Sequence, residues 1–249
     1  MIQYIQLDCP YCECDDLVKN GHSENGTQRY RCNACRRSFQ WEYTYLARMP
    51  GVKEQIVEQT LNSSGVRDIS RNLGIAKNTV IAELKKQDPP EVNDAFATQL
   101  NTCSSPVPLD VEICADLDEF WSYVGDKSNQ RWTWYALDRN SGTILAHHTG
   151  KRTDAACATL MDKLTIFPIR YYYTDNWQSY SKLIPSAQHR IGKEHTWKIE
   201  RMNLNFRTHL KRLHRKTICF SKNERIHDNV IGMYIDQYYY KTNGYAKIA

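Results

Sequence analysis

Val111-Glu-Ile-Cys-Ala-Asp-Leu-Asp-Glu-Phe-Trp-Ser-Tyr-Val124, Trp132-Thr-Trp-Tyr-Ala-Leu137 and Thr143-Ile-Leu-Ala-His-His148 read as three successive strands. They are rich in β-branched and aromatic residues, and Asn140-Ser141-Gly142 supplies a turn between the last two. Thr153 can cap a helix running to about Leu164, with Ala155, Ala156, Leu160 and Leu164 on its buried side. Arg170 to Thr174 is then a short strand ending at Asp175, and a further helix begins near Trp177.

Three antiparallel strands followed by helix, strand and helix is the order of an RNase H-like α/β fold with a mixed sheet. Farther on, Thr196 to His214 is the most regular helical stretch in the chain. Ile199, Met202, Phe206, Leu210 and Leu213 recur at steps of three and four, giving one buried stripe. Glu200 lies at the edge of that stripe. Arg207, seven positions on, shares nearly its azimuth about 10 Å along the axis, with Asn203 between them. Such a fold brings the first strand, the end of the later strand and the late helix together. Asp118, Asp175 and Glu200 are therefore candidates for holding two divalent ions of the kind that drive phosphodiester chemistry. Asp116 competes with Asp118 for the first place.

The charge is sorted to match. The 249 residues carry a formal +5, but Asp88 to Asp126 holds nine acids and no Lys or Arg. Arg190 to Arg225 holds eleven Lys and Arg against three Glu. That basic segment would follow a nucleic-acid backbone with salt-sensitive affinity, with Arg201, Lys211 and Arg212 as its candidate contacts. A hydrophobic fraction of 41% excludes a wholly disordered chain. No apolar run approaches the roughly 20 residues of a membrane span, and the first residues lack the pattern of a signal peptide. A cytoplasmic protein is the expectation.

Upstream, Cys9-Pro-Tyr-Cys12 and Cys32-Asn-Ala-Cys35 are two C-x-x-C units 19 residues apart. Each tight turn can aim two sulfurs at one point, so Cys9, Cys12, Cys32 and Cys35 predict a structural Zn²⁺ in a zinc ribbon spanning residues 1–48, with a β-hairpin feeding the second pair. Cys14 and His22 fit the symmetric pattern less well. Arg29, Arg31, Arg36 and Arg37 surround the second pair, interleaved with Tyr30, Phe39 and Trp41, as a candidate phosphate-contacting face. Residues 49–87 read as an all-α helix-turn-helix. Val52, Ile56, Val57 and Leu61 mark one helix, and Val66 to Leu73 and Asn78 to Lys86 are joined through Gly74. Lys77, Asn78 and Thr79 would meet the major groove. Residues 88–109, with Pro89, Pro90, Pro106 and Pro108, read as a linker with a possible short helix at Phe96 and Leu100. Residues 110–249 are the α/β unit.

Cys114-Ala-Asp-Leu-Asp-Glu-Phe-Trp-Ser-Tyr-Val-Gly125, Tyr173-Thr-Asp-Asn-Trp-Gln-Ser-Tyr180 and Ile199-Glu-Arg-Met-Asn-Leu-Asn-Phe-Arg-Thr-His-Leu210 resemble the three motif blocks of the insertion-sequence-one transposases. Phe220-Ser-Lys through His227-Asp-Asn-Val-Ile-Gly232 resembles their C-terminal block, and the zinc ribbon and helix-turn-helix match in order. The resemblance implies a DDE transposase, with Asp118, Asp175 and Glu200 binding two Mg²⁺ (or Mn²⁺) ions and Arg207 contacting the DNA end. The Asp-Glu-x-Trp context favours Asp118 over Asp116. Family members are often made by joining two reading frames; this chain runs continuously past the equivalent junction near the Pro-rich segment.

The expected activity is binding of the terminal inverted repeats of double-stranded DNA, hydrolysis to a 3′-OH, and its transfer to target DNA. Two ends must be joined, so a homodimer or larger assembly is expected. An alternative is a zinc-ribbon and helix-turn-helix DNA-binding regulator with an inactive C-terminal half, although such a protein needs no carboxylate set. A junction-cutting nuclease on the same fold would not need sequence-reading domains.

Overall fold

Strand alternation decides how the sheet is buried. The structure, a computed structural model, describes residues 7–102, 112–192 and 197–241. In β4 (Ile113–Val124), Ile113, Ala115 and Leu117 point to one face and Phe120 to the other. β4 pairs antiparallel with β5 (Asp126–Asp138), and β5 antiparallel with β6 (Ile144–Gly150). On its other side β4 pairs parallel with β7 (Ile169–Thr174), and β7 parallel with β8 (His189–Ile191). The spatial order β6-β5-β4-β7-β8, antiparallel on one side of β4 and parallel on the other, is an RNase H-like mixed sheet.

One face carries α5 (Asp154–Leu164) and α6 (Gln178–Leu183), which close over Trp134, Ala136 and Leu145. Thr153 accepts the Ala156 N–H as the expected N-cap of α5. The buried side of α5 is Ala156, Cys157, Leu160 and Leu164. Ala155, expected there, is exposed, and Cys157 takes its place because it lies three residues before Leu160 and seven before Leu164, on their side of the helix. The other face carries α7 (Trp197–His209) and α8 (Glu224–Ile235), the latter running into a π-helical segment, Asp236–Tyr240.

Three boundaries differ from expectation. α7 stops at His209 instead of His214. Leu210 leaves helical geometry (φ −114°, ψ 88°), and Lys211–Leu213 forms a separate 3-10 turn. The apolar stripe survives the break, since Ile199, Met202, Phe206, Leu210 and Leu213 are all buried. β5 begins at Asp126 instead of Trp132, because a tight turn at Gly125 lets the polar stretch continue the ladder with β4. The proposed linker is half structure. The His147 N–H donates to Glu91 O and the Asn93 N–H to Leu145 O, so residues 91–93 edge β6 before α4 (Asp94–Thr102). Ala97 of α4 is buried, with Phe96 and Leu100 packed beside it. Pro106 and Pro108 lie outside the described residues.

Upstream, α1 (Val52–Leu61), α2 (Val66–Leu73) and α3 (Lys77–Lys86) form the helix-turn-helix. Gly74 ends α2 in the left-handed region (φ 63°), where a Cβ would also meet Leu46 at 3.0 Å. Ile56, Ile69, Val80 and Leu84 belong to the same apolar core as Phe206, Val230 and Ile231. The docking is also polar. Asn229 of α8 donates to Leu84 O (2.9 Å) and Gln87 O (2.7 Å), satisfying carbonyls at the end of α3. Ser63, in the turn before α2, donates to His209 O and accepts the Lys211 N–H. At the N-terminus, β1 (Leu17–His22), β2 (Gln28–Cys32) and β3 (Ser38–Gln40) make a small antiparallel sheet over its own core of Cys9, Cys32 and Phe39. Among the described residues no helix is long and apolar enough to cross a membrane.

Candidate active site

The two cysteine pairs converge. Cys9 Sγ lies 3.6 Å from Cys35 Sγ, Cys12 Sγ lies 3.6 Å from Cys32 Sγ, and all four sulfurs fall within 4.8 Å of one another. Four thiolates at about 2.3 Å from one ion would stand about 3.8 Å apart, so the set fits tetrahedral zinc. Both knuckles have the same backbone. Glu13 and Arg36, each four residues past the first cysteine of its pair, adopt positive φ (57° and 64°) and donate N–H to Cys9 O and Cys32 O. The Cys35 backbone N–H, 3.5 Å from Cys32 Sγ, helps hold that thiol at about 7. Cys14 Sγ instead accepts the Asp16 N–H. Arg29, Arg31, Arg36 and Arg37 are all exposed, while Tyr30 and Phe39 pack inward.

Lys77 and Asn78 are exposed at the start of α3. Thr79 is engaged: its hydroxyl lies 2.7 Å from Tyr45 Oη, which also accepts the Ala76 N–H at 3.2 Å. Tyr45 thus caps α3 from a distant segment, in the place of the side-chain cap that Ala76 cannot provide. Nothing local in the sequence marks Tyr45 for this.

The carboxylates are brought together by parallel register. Asp116 of β4 pairs with Tyr173 of β7, Asp118 lies two residues beyond the first and Asp175 two residues beyond the second, just past the end of β7, and the charge of Asp175 reaches the Asp118 carboxyl. Glu200, in the first turn of α7, acts on the same carboxyl from above. Asn203, one turn later, donates to Asp118 Oδ2 at 2.6 Å. Tyr135, opposite Asp118 in the β4–β5 ladder, shares its one hydroxyl proton between Asn203 Oδ1 (3.0 Å) and Ile199 O (3.1 Å), which orients the amide's oxygen toward it. Burial above all pushes the Asp118 carboxyl above its ordinary range. The Asn203 amide and the Glu119 N–H draw it back, and the charges of Asp175 and Glu200 raise it again.

Asp116 shares that face but is committed elsewhere. Its carboxylate lies 3.5 Å from Arg139 Nε, and the guanidinium stacks on Tyr173 at 3.8 Å. Asp175 is exposed, and its Oδ1 accepts the Trp177 N–H at 3.0 Å. The carboxylate oxygens are hard donors suited to Mg²⁺ or Mn²⁺, and the repulsion among them is what a divalent cation relieves. Among the described residues the thiols are the one ligand group gathered within 4.8 Å; Asp118, Asp175 and Glu200 share a field rather than a point.

Arg207 is half-buried beside this field, and among the described residues its buried Nε has no hydrogen-bond partner. Burial and the neighbouring Arg215 lower its pKa from the ordinary arginine value, while Asp118 acts in the opposite sense. Arg201 and Lys211 are exposed. Arg212 points inward: its Nη1 donates to Ser221 at 3.3 Å, and burial brings its pKa to about 10. Sequence reasoning missed Tyr45 and Tyr135, because each reaches its partner, at the start of α3 and at Asn203, from a separate segment. Asn203 was legible, standing three residues from Glu200 on one helix face.

Comparison with known proteins agrees with this order of parts. The model of the IS1 transposase family matches residues 111–241. The InsA C-terminal domain matches residues 43–87 and the InsA N-terminal domain residues 4–36. The insertion element iso-IS1n protein InsB of Shigella dysenteriae is 48% identical over 126 residues, covering 51% of this chain and 95% of that protein. The insertion element IS1 4 protein InsB of Escherichia coli (strain K12) is 46% identical over 132 residues, 53% of this chain and 79% of that protein. A solved Drosophila P element transposase strand transfer complex overlaps at a TM-score of 0.29 with 13% identity, covering 53% of this chain and 34% of its own, too slight a likeness to carry an inference. InsA-like and InsB-like parts stand in one continuous chain, which belongs to the IS1 transposase family.

Proposed function

We propose that this chain binds the terminal inverted repeats of its insertion element, hydrolyses a phosphodiester at each end, and joins the freed 3′-OH to target DNA. The observation that carries this reading is that Asn203 of α7 donates to Asp118 of β4 while the charges of Asp175 and Glu200 act on the same carboxyl. Asp118, Asp175 and Glu200 would hold two Mg²⁺ or Mn²⁺ ions. Bound there, divalent ions supply charge neutralisation at the attacking and leaving oxygens. In the first reaction the P–O3′ bond breaks as a water oxygen joins the phosphorus, leaving a 3′-OH. In the second, that 3′ oxygen displaces a 3′ oxygen of the target strand.

The chain's own residues prepare this chemistry. Asn203, held by Tyr135, orients Asp118 and favours its ionised form. Arg207 offers a donor to the anionic DNA end, and the exposed Arg201 and Lys211 extend that basic surface. Arg212 supports the same region from beneath. Lys77 and Asn78 would read base edges, with Thr79 and Tyr45 holding the helix start, while Arg29, Arg31, Arg36 and Arg37 neutralise phosphates. Two ends require at least a homodimer.

The test is an oligonucleotide carrying the element's terminal repeat, with Mg²⁺. Wild type should cleave and join it; Asp175→Asn should do neither while still binding the end. Strand transfer by Asp175→Asn would overturn the carboxylate assignment. End binding undiminished by loss of residues 1–87 would overturn the recognition assignment.

A further inference from the structure

Three residues of the motif blocks have no role in the chemistry above: Glu119, Trp177 and Tyr180. They meet on the sheet face opposite Asn203. Glu119 alternates with Asp118 along β4 and is buried, its side chain 2% exposed. Its Oε2 accepts the Tyr180 hydroxyl at 2.7 Å. Its Oε1 accepts both Nε (3.1 Å) and Nη2 (2.7 Å) of Arg152, which lies between β6 and α5. That guanidinium lies 4.8 Å from the ring centroid of Trp132 and 4.8 Å from that of Trp177. Trp177 packs in turn on Trp134 and Tyr180, and its backbone N–H is the one that Asp175 accepts.

One side chain therefore joins the residue next to Asp118 to the residue two past Asp175. The Glu119 carboxylate is buried while the Arg152 side chain stays 38% exposed, so desolvation of the acid offsets part of the pair's attraction and the pair is a costly way to stabilise a sheet. A planar, two-pronged cation between two rings is well suited to setting a distance. Burial raises the Glu119 carboxyl above its ordinary range, and Tyr180 and Arg152 lower it again.

We propose that Arg152 is a positioning residue that fixes the separation of Asp118 and Asp175 from the far face of the sheet, through Glu119 on one side and Trp177 on the other. This rests on the two-ion reading of those carboxylates. It separates from a simple charge effect by sign. Removing a cation near carboxylates strengthens divalent-ion binding electrostatically, whereas loosening the carboxylates weakens it.

Mn²⁺ binding to the full-length, zinc-loaded chain, followed by the electron paramagnetic resonance signal of free Mn²⁺, tests it. Wild type is compared with Arg152→Met, Arg152→Lys and Asp175→Asn, and thermal unfolding checks each fold. The expected result is about tenfold to hundredfold weaker Mn²⁺ binding in Arg152→Met, the range typical of residues that orient metal ligands. Arg152→Lys keeps the charge without the fork and should remain weakened. Mn²⁺ binding by Arg152→Met as tight as wild type or tighter overturns the proposal, as does full recovery in Arg152→Lys. Trp177→Leu leaves the ion pair but removes one ring; it should also weaken binding, and decides the matter if Arg152→Met fails to fold. Unchanged binding in Asp175→Asn would instead overturn the two-ion reading itself, and this inference with it.

Discussion

Asn203 donates its side-chain amide to Asp118 across a gap of 85 residues in sequence, at 2.6 Å, and Tyr135 holds the acceptor end of that amide. The bond favours the ionised carboxylate against burial. In Asn203→Ala the Asp118 pKa should rise further, so the acid limb of the pH–rate profile for end cleavage should move to higher pH. At neutral pH the rate should fall about tenfold to hundredfold. A profile with an unmoved acid limb would show that the bond does not act through Asp118.

The ribbon should fail alone. Cys32→Ser removes one of four thiols whose core, Cys9, Cys32 and Phe39, is separate from the two cores shared by the helix-turn-helix and the α/β unit. Metal analysis should show loss of bound zinc, and the ribbon amides should lose hydrogen-exchange protection, while the main thermal transition stays in place. A lowered main transition would mean the ribbon is coupled to the remainder of the fold.

Asn229 ties the end of α3 to α8 of the α/β unit. Asn229→Ala leaves the carbonyls of Leu84 and Gln87 without those donors and should cost about 1–3 kcal/mol. Hydrogen exchange should show faster opening at the end of α3, with β4 and β5 unaffected. Uniform loss of protection across the chain would contradict a local docking role.

His227 should govern acid sensitivity. It is fully buried, with Ser122 at Nε2 and Ser221 at Nδ1, both at 2.9 Å, and its pKa is lowered to about 3. The folded value lies below the unfolded one of about 6.5, so the unfolded chain binds more protons between those limits. Stability should therefore be full above about pH 6.5 and fall as pH drops toward 3. His147, also brought to about 3 by burial, adds to the same slope. His227→Gln should be less stable than wild type at pH 7 yet lose less between pH 6.5 and 4.5, as read from Tm.

Gly232 shows how closely the elements meet. A Cβ there would stand 2.5 Å from Pro89 Cγ, where α8 crosses the segment that edges β6. That Pro-rich stretch reads as a linker because composition reports flexibility; its backbone pairing with β6, Val92 opposite Ala146, depends on an edge built 54 positions later.

Spacing along the chain was enough for features that close over a few residues. The two C-x-x-C turns, the apolar periods of α1 to α3 and α7, and the strand, helix, strand order all depend on local backbone geometry and side-chain alternation. The candidate carboxylates were legible as members of that order. Asp116 and Asp118 face the same way on β4, and only packing shows what each meets: Arg139 beside the first, and Asn203 with the field of Asp175 and Glu200 on the second. Tertiary structure alone brought Tyr45 to the start of α3, Asn229 to its end, and Arg152 between Glu119 and Trp177. Local periodicity determines which face a residue takes, but which distant side chain meets it follows from parallel register and helix docking, and neither leaves a mark in any single stretch of sequence.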